Sequence, residues 1–380
     1  MFLYKILEYP FINEFLFTLF WIIITVSFNY FLKKSNFSPE INSKLILLYL
    51  FLTLISILRI YFDFLPFTPD SIYYLDIYVR QDPIGPGFYE RIIIFINTLF
   101  GENVKILIII NILIYCITIS ELIKIIPNHN NLNLNWFFFF SFFLPSIIWF
   151  IPNVLRESIF IYFIVMIMKN SLIIDDKMNK KIQINILLVF LFSFMAFALR
   201  PQILPILFIW LSYILFKRNK LSIIVSSLIG FLVIQSNYIQ AEIVRKLSFH
   251  YLESFKTEAS GNLEKIAFSN LIIPENIFDI IYYSPYLIIR FLFSPFPWDL
   301  SNLRYAFAYL DSLFICLFFI FISINIIRKH TFNYNIILFS MLFIFILSIF
   351  EISFTGAVRH RLPFIITLLP CIVNVKLRNE

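Results

Sequence analysis

Residues 104–123 read VKILIIINILIYCITISELI, an apolar run that is continuous rather than alternating. About 20 mostly apolar residues in an α-helix are long enough to cross a bilayer. A strand of an outer-membrane barrel would instead alternate apolar and polar residues with a period of two. The run therefore predicts a membrane-spanning helix.

The composition of the whole chain agrees with this run. Of the 380 residues, 60% are hydrophobic and 14% are charged, and the mean hydropathy is +0.87. A soluble domain has about 45–50% apolar and about 25% charged residues, so a soluble chain could not hide this excess. The composition excludes a cytosolic enzyme, a secreted disulfide scaffold and a disordered protein. It predicts an all-α polytopic membrane protein.

We expect about 11 transmembrane helices within a single integral membrane domain, residues 1–380. The candidate spans are 14–32, 45–62, 104–123, 136–151, 158–174, 183–199, 203–216, 221–238, 308–327, 333–352 and 362–375. Two long connections, 63–103 and 239–307, are expected to be extracytoplasmic and to carry amphipathic helices. With only six Gly in the chain, close small-residue crossings are scarce, so the helices must pack through large side chains.

Basic charge decides the orientation of the spans. The net charge is +7, and the excess of Lys and Arg falls on one set of short connections and span ends, for example Lys33, Lys177 and Arg218. By the positive-inside rule this set is cytoplasmic, so the N-terminus is expected outside and the C-terminus inside. Such charge anchors a membrane protein, and no nucleic-acid partner is expected. Nearly all chemically capable residues lie in the outer connections.

The first outer segment carries an acid at a predicted helix start. A threonine and a proline precede Asp70, which suits the first turn of a helix. This helix is expected to run along the membrane surface through Tyr73 and Tyr74 to a break at 85–87, with a second segment over 88–100. Asp70 is either an acid that complements the helix dipole or a general base beside a membrane cavity.

Five arginines lie at predicted outer span ends or on interfacial segments. Singly, each suits an interfacial anchor, because an arginine at the centre of a span costs about 2.5–3.5 kcal/mol, whereas one at the edge can snorkel. Together they suit one cavity for a phosphate or pyrophosphate, which guanidinium groups bind bidentately. The five are Arg156, Arg200, Arg290, Arg359 and Arg361.

The second outer segment, 239–307, begins polar and becomes aromatic towards Trp298. Pro285, Pro295 and Pro297 are expected to prevent one straight span, which predicts an amphipathic or re-entrant element at the aromatic belt. It is either a plain interfacial hairpin or a lid or acceptor groove, in which aromatic faces stack on sugar rings.

Several short runs carry a resemblance to a known family. They are Gly85-Pro86-Gly87-Phe88-Tyr89, Leu99-Phe100-Gly101-Glu102-Asn103, Pro152-Asn153-Val154-Leu155-Arg156-Glu157, Phe293-Ser294-Pro295-Phe296-Pro297-Trp298 and Arg359-His360-Arg361-Leu362-Pro363. With an acid after an early span and a Tyr-rich surface helix, they resemble the integral-membrane glycosyltransferases of the GT-C superfamily. The similar branches are the dolichyl-phosphate-mannose protein mannosyltransferase-like enzymes and the bacterial lipid-linked-sugar enzymes.

The resemblance implies a multi-pass enzyme of a bacterial inner (plasma) membrane. It would move a sugar from a polyprenyl-phosphate donor to a glycan, lipid or protein acceptor at the extracytoplasmic face, with inversion. Because phosphate leaves as an anion, one base and several cations suffice, in contrast to the two carboxylates of glycosidases. The resemblance gives Asp70 the role of base and the five arginines that of phosphate ligands. The implied substrate-binding residues are Tyr73, Tyr74, Glu157 and Trp298.

Other functions stay open at this point. A polymerase of O-antigen or exopolysaccharide type would share the spans, the outer arginines and a lipid-pyrophosphate substrate. A flippase for lipid-linked sugars would carry inverted repeats and polar residues at mid-membrane, and the sequence displays neither. No cofactor is assigned, and a role for a divalent metal stays undecided.

Overall fold

A computed structural model describes residues 10–62, 73–74, 77, 87–100, 103–175, 182–200, 203–218, 277–299, 303–327, 334–351 and 354–373. The described chain is all-helical, with no strand in any of these ranges. Asp70, the predicted span 221–238 and the polar part of the second outer segment lie outside the described residues.

The chain divides into two compact units. The first consists of Met1–Phe143 and Ile147–Tyr162, and the second of Leu144–Ser146 and Phe163–Glu380. The helices of the first unit are α1 (Pro10–Lys34), α2 (Pro39–Phe62), α3 (Phe88–Phe100), α4 (Val104–Ile125) and α5 (Asn135–Phe143). A short helix, α6 (Pro145–Phe150), follows, and α7 (Glu157–Asp175) begins in the first unit.

Helix α4 is the centre of the first unit. Helices α1, α2 and α3 pack on it, and α5 packs on α2. Helix α4 begins where it does because the side chain of Asn103 accepts a hydrogen bond from the backbone N–H of Lys105 at 3.2 Å, which caps the helix. Most of its residues are buried on every face, as expected of a helix surrounded by others.

The second unit is built on four helices, of which the first and the last each pack on the other three. They are α10 (Ile277–Phe293), α11 (Leu303–Ile327), α12 (Tyr334–Phe350) and α13 (Phe354–Thr367), and they are preceded by α8 (Ile182–Leu199) and α9 (Leu204–Arg218). Large aromatic side chains fill the contacts between them. The rings of Phe343 and Phe364 stack at 4.5 Å, and Trp210 meets Phe339 edge-on at 4.9 Å. The described helices do pack through large side chains, as the scarcity of glycine predicts.

Long apolar helices support a helical membrane protein. Within the described residues, four helices are long and apolar enough to cross a membrane: Pro39–Phe62, Val104–Ile125, Glu157–Ile174 and Tyr305–Ile327. The last of these exposes a stripe of apolar side chains with helical spacing, namely Leu310, Leu313, Leu317, Ile320 and Ile324. A continuous apolar face of this kind requires lipid or another apolar surface to cover it.

Several element bounds differ from the sequence predictions. The predicted span 136–151 is broken at Leu144, because the residue before a proline is disfavoured in helical conformation and Pro145 lacks an N–H. Pro285, in contrast, lies inside α10, on its exposed face, where only one backbone hydrogen bond is forfeited. The predicted outer connection 353–361 is helical from Phe354 onwards. The predicted second segment of the first outer connection, 88–100, is the helix α3 (Phe88–Phe100).

Candidate functional site

The described site residues fall into two groups, one in each unit. Tyr73, Tyr74, Arg156 and Glu157 belong to the first unit. The second unit contains Arg200, Arg290, Trp298, Arg359 and Arg361. Asp70, the predicted base, lies outside the described residues, so its proximity to either group stays a prediction.

A buried irregular segment, residues 151–155, precedes Arg156 in the first unit. Backbone groups outside a helix need partners when they are buried in a membrane protein. Arg59, only 1% exposed near the end of α2, donates hydrogen bonds to the carbonyl oxygens of Trp149 at 3.0 Å and Pro152 at 2.5 Å. The sequence analysis missed Arg59, although a lone arginine within the apolar run 45–62 was the available signal.

Asn111 supports the same segment from the middle of the first unit. It is fully buried on α4, and its Nδ2 donates to the carbonyl oxygens of Asn153 at 2.8 Å and Leu155 at 3.1 Å. Asn153 in turn uses its Oδ1 to accept the backbone N–H of Val154 at 2.8 Å. Two other helices, α2 and α4, therefore fix the path that leads to Arg156 and Glu157.

Two tyrosines pack beside this path. The rings of Tyr74 and Tyr89 meet edge-on at 4.8 Å, and Tyr73, which is largely exposed, packs on Tyr74. Burial raises the pKa of Tyr89, and the negative charge of Glu157 raises it further, while the Asn111 side chain and the positive charge of Arg156 oppose the shift. Tyr89 is therefore close enough to both charged residues for their charges to affect its hydroxyl group. The structure brings Tyr74, Arg156 and Glu157 together around a tyrosine that the sequence analysis did not single out.

In the second unit, Arg361 forms a buried ion pair with Asp311. Both side chains are fully buried, and Nη2 of the arginine lies 2.8 Å from Oδ2 of the aspartate. The other carboxylate oxygen, Oδ1, accepts the backbone N–H of Ser146 at 2.8 Å, and Ser312 Oγ accepts a further hydrogen bond from Nη2 at 3.0 Å. Both oxygens of Asp311 are therefore occupied by the protein itself.

The remaining donors of Arg361 hold the end of α10. Nη1 donates to the carbonyl oxygens of Phe291 at 3.1 Å, Leu292 at 2.6 Å and Ser294 at 3.1 Å. The first two are among the last carbonyls of the helix, which have no partner within it, and the third lies just beyond its end. Nε, Nη1 and Nη2 all donate within the second unit. A phosphate-binding role for Arg361 stays a prediction, and its donors are already used.

A second set of charges surrounds His360, and we name Arg200, Glu351, Arg359 and His360 the cationic cluster. His360 Nδ1 lies 2.6 Å from Glu351 Oε2. Burial lowers the pKa of His360, the nearby positive charges of Arg200 and Arg359 lower it too, and Glu351 opposes them. Two of the predicted phosphate ligands are therefore near the same histidine in this unit. Glu351 was missed, because it follows an apolar run and resembles a span end.

The other two predicted residues of this unit have local partners. Arg290 is buried, lies 5.6 Å from the ring of Tyr286 and donates to its hydroxyl group. Because these two residues are four apart on one helix, they face the same side. Trp298 is 78% exposed and stacks on Phe296 at 4.9 Å. An exposed stacked pair of rings at an interfacial position suits contact with lipid or substrate.

The described residues offer cations and amides rather than metal ligands. Throughout these ranges, no group of three or more His, Cys, Asp or Glu side chains is placed to hold a metal ion. Protein-family models, curated proteins and solved structures were all compared with the chain, and none matches it.

Proposed function

We propose that the protein is a membrane glycosyltransferase that moves a sugar from a polyprenyl-phosphate donor to a glycan, lipid or protein acceptor. The proposal includes eleven spans, an outer N-terminus and a reaction at the extracytoplasmic face of a bacterial inner membrane. The observation that supports it is the cationic cluster in the second unit.

The cluster has the charge expected of a phosphate site. Arg200 is 2% exposed, and the charges of Arg200, Arg359 and Glu351 all act on His360. Like charges that are held close in a desolvated region repel one another, and a bound anion offsets that repulsion. A guanidinium group also matches the planar geometry of phosphate oxygens. A phosphate ester of a lipid-linked sugar is an anion that reaches such a site from the membrane.

The proposed reaction is an in-line displacement. The acceptor hydroxyl oxygen attacks the anomeric carbon on the face opposite the phosphate and forms the new glycosidic bond. The bond from that carbon to the phosphate oxygen breaks, and its electron pair leaves with the phosphate. Asp70 accepts the hydroxyl proton, while Arg200 and Arg359 stabilise the departing phosphate. The reaction needs no general acid, because phosphate is a stable anion.

The experiment is a transfer assay with the full chain in proteoliposomes. The donor is a radiolabelled hexose on a short polyprenyl phosphate, and kcat/KM is measured for Arg200→Gln and Arg359→Gln. Each variant loses a charged hydrogen-bond donor, so each should lower kcat/KM by about 10- to 100-fold. Lys44→Gln is the control, because Lys44 pairs with Glu40 one turn earlier on α2. The control should transfer the sugar at the wild-type rate.

The results also separate the competing functions. If both arginine variants transfer the sugar as fast as the wild type, the phosphate site is wrong. If Asp70→Asn leaves transfer unchanged, its role as base is excluded. A single added sugar supports the transferase, a ladder of products supports a polymerase, and movement of the donor across the bilayer without a new bond supports a flippase.

A further inference from the structure

Three buried side chains in the first unit each have one polar atom that forms no hydrogen bond. Within the described structure, Tyr89 Oη, Asn111 Oδ1 and Asn153 Nδ2 make none. Asn111 joins the other two, because its Nδ2 bonds the Asn153 carbonyl at 2.8 Å and its side chain lies beside the Tyr89 hydroxyl. We name Tyr74, Tyr89, Asn111 and Asn153 the tyrosine–amide cluster.

Such unfilled positions are costly in a protein interior. A buried polar group without a partner costs about 1–3 kcal/mol, so three in one place call for an explanation. Tyr89 and both asparagines are at most 1% exposed. The fold does not need the unfilled atoms, because the structural bonds of Asn111 and Asn153 use their other side-chain atoms. The unfilled atoms are therefore available to a ligand.

The chemistry of the unfilled atoms selects the class of ligand. Tyr89 Oη both donates and accepts, Asn111 Oδ1 accepts, and Asn153 Nδ2 donates. An anion would require donors alone, whereas Asn111 Oδ1 is an acceptor, and the charges of Glu157 and Arg156 near Tyr89 oppose one another. A purely apolar chain would leave all three atoms unfilled. A ring that carries several hydroxyl groups both donates and accepts, and its C–H face packs on aromatic rings such as that of Tyr74.

We infer that the tyrosine–amide cluster binds the hydroxyl groups of a sugar ring. The inference rests on the proposed function, since a transferase must bind the sugar ring as well as the phosphate. The ring belongs either to the donor lipid or to the acceptor. Tyr89, Asn111 and Asn153 contact the ring directly, and Arg59 holds the backbone that leads to Asn153 through the carbonyls of Trp149 and Pro152.

The test compares two tyrosine variants that each remove one buried hydroxyl group. Tyr89→Phe deletes the unfilled hydroxyl, and Tyr115→Phe deletes one that donates to the Ser141 carbonyl at 3.2 Å. The probes are methyl glycosides of glucose, galactose and mannose, and the same hexoses on farnesyl phosphate. Binding to the full chain in nanodiscs is measured by calorimetry, and thermal stability is measured in parallel.

We expect Tyr89→Phe to bind at least one probe about five- to tenfold more weakly, with unchanged or higher stability. Tyr115→Phe should be less stable but should bind the probes as the wild type does. If the loss is confined to the farnesyl phosphates, the ring is the donor's. If it extends to the methyl glycosides, the site accepts a sugar that carries no phosphate, as an acceptor does.

Two outcomes would overturn the sugar site. One is wild-type affinity in Tyr89→Phe for every probe, and the other is a wild-type protein that binds none of them. The proposed transferase fails separately. If Tyr89→Phe weakens sugar binding while Arg200→Gln leaves transfer intact, the sugar site stands and the phosphate site does not.

Discussion

Each unit contains a buried arginine that holds irregular backbone. Arg59 donates to the carbonyls around residues 148–152 in the first unit, and Arg361 donates to those of residues 291–294 in the second. Both answer the same physical need, because carbonyls at the end of a helix have no intrahelical partner and lipid offers none.

The surroundings of the two arginines differ. Around Arg361, the second oxygen of the Asp311 carboxylate is taken by a backbone N–H, so the charged groups of the ion pair are matched within the protein. The hydroxyl groups of Ser146 and Ser294 beside the pair bond nothing in the described structure. Beside the segment held by Arg59, Asn111 and Asn153 each keep a side-chain atom that bonds nothing in the described structure. Burial of a polar residue therefore does not by itself mark a binding site. An unfilled position at a buried residue is the more informative feature.

The largest predicted effect is the loss of Asp311. Asp311→Ala would leave the Arg361 charge buried and unpaired, and removing one partner of a buried pair costs about 3–5 kcal/mol. We expect the free energy of unfolding in detergent, or the midpoint of thermal unfolding, to fall accordingly. Stability equal to the wild type would contradict the buried pair.

A double variant separates the ion pair from the carbonyl contacts. Asp311→Leu combined with Arg361→Met removes both charges at similar volume, which is often neutral for an isolated pair. Here it also removes the donor to Phe291, Leu292 and Ser294, so we expect only partial recovery. Full recovery would mean that the three carbonyl bonds contribute little to stability.

Arg59→Lys is expected to have a smaller effect. Lysine keeps the positive charge but lacks the planar fork that reaches several carbonyls at once. Because some of the carbonyl oxygens that Arg59 contacts would then have no donor, the free energy of unfolding should fall by about 1–3 kcal/mol. Arg91→Lys is the control, because Arg91 is exposed on α3 and should change stability by less than about 0.5 kcal/mol. If the two variants are equally stable, the hydrogen bonds from Arg59 to the carbonyl oxygens do not stabilise the fold.

The helical fold could be predicted where the signal is local. Composition and continuous apolar runs were enough to predict membrane helices, and the glycines at 87 and 101 delimit the helix that the structure places at Phe88–Phe100. Pro145 was also visible in the sequence. The apolar run around Pro145 is long enough for one span, so a single helix was predicted there. The structure instead breaks the helix at the proline, because the local effect of proline outweighs the average hydropathy of the run.

The site was harder to predict because its partners are distant in the sequence. Arg361 meets Asp311 across 50 residues, and Arg59 meets Pro152 across 93. Arg359 and Arg361 show a second difficulty. Two residues apart on a helix, they point about 200° away from one another, so they face different neighbours. The sequence alone does not tell which neighbours a helix face will meet.

The smallest predicted effect is the pH dependence that His360 gives the second unit. In the folded protein, burial and the charges of Arg200 and Arg359 hold the pKa of His360 below its usual value of 6.5, against the opposing effect of Glu351. The unfolded chain therefore binds more protons than the folded one as the pH falls below 6.5. Stability should be constant above that value and should decline below it, until the folded His360 also becomes protonated.

Unfolding measured in detergent from about pH 5 to pH 8 tests this slope, because the unperturbed pKa of histidine lies within that range. His360→Gln should abolish the part of the slope that begins near 6.5. Arg200→Gln should reduce it, because the pKa of His360 rises when a nearby positive charge is removed. A slope that is the same in both variants would mean that Arg200 and His360 are not electrostatically coupled, and the cationic cluster would lose the proximity on which the proposed phosphate site depends.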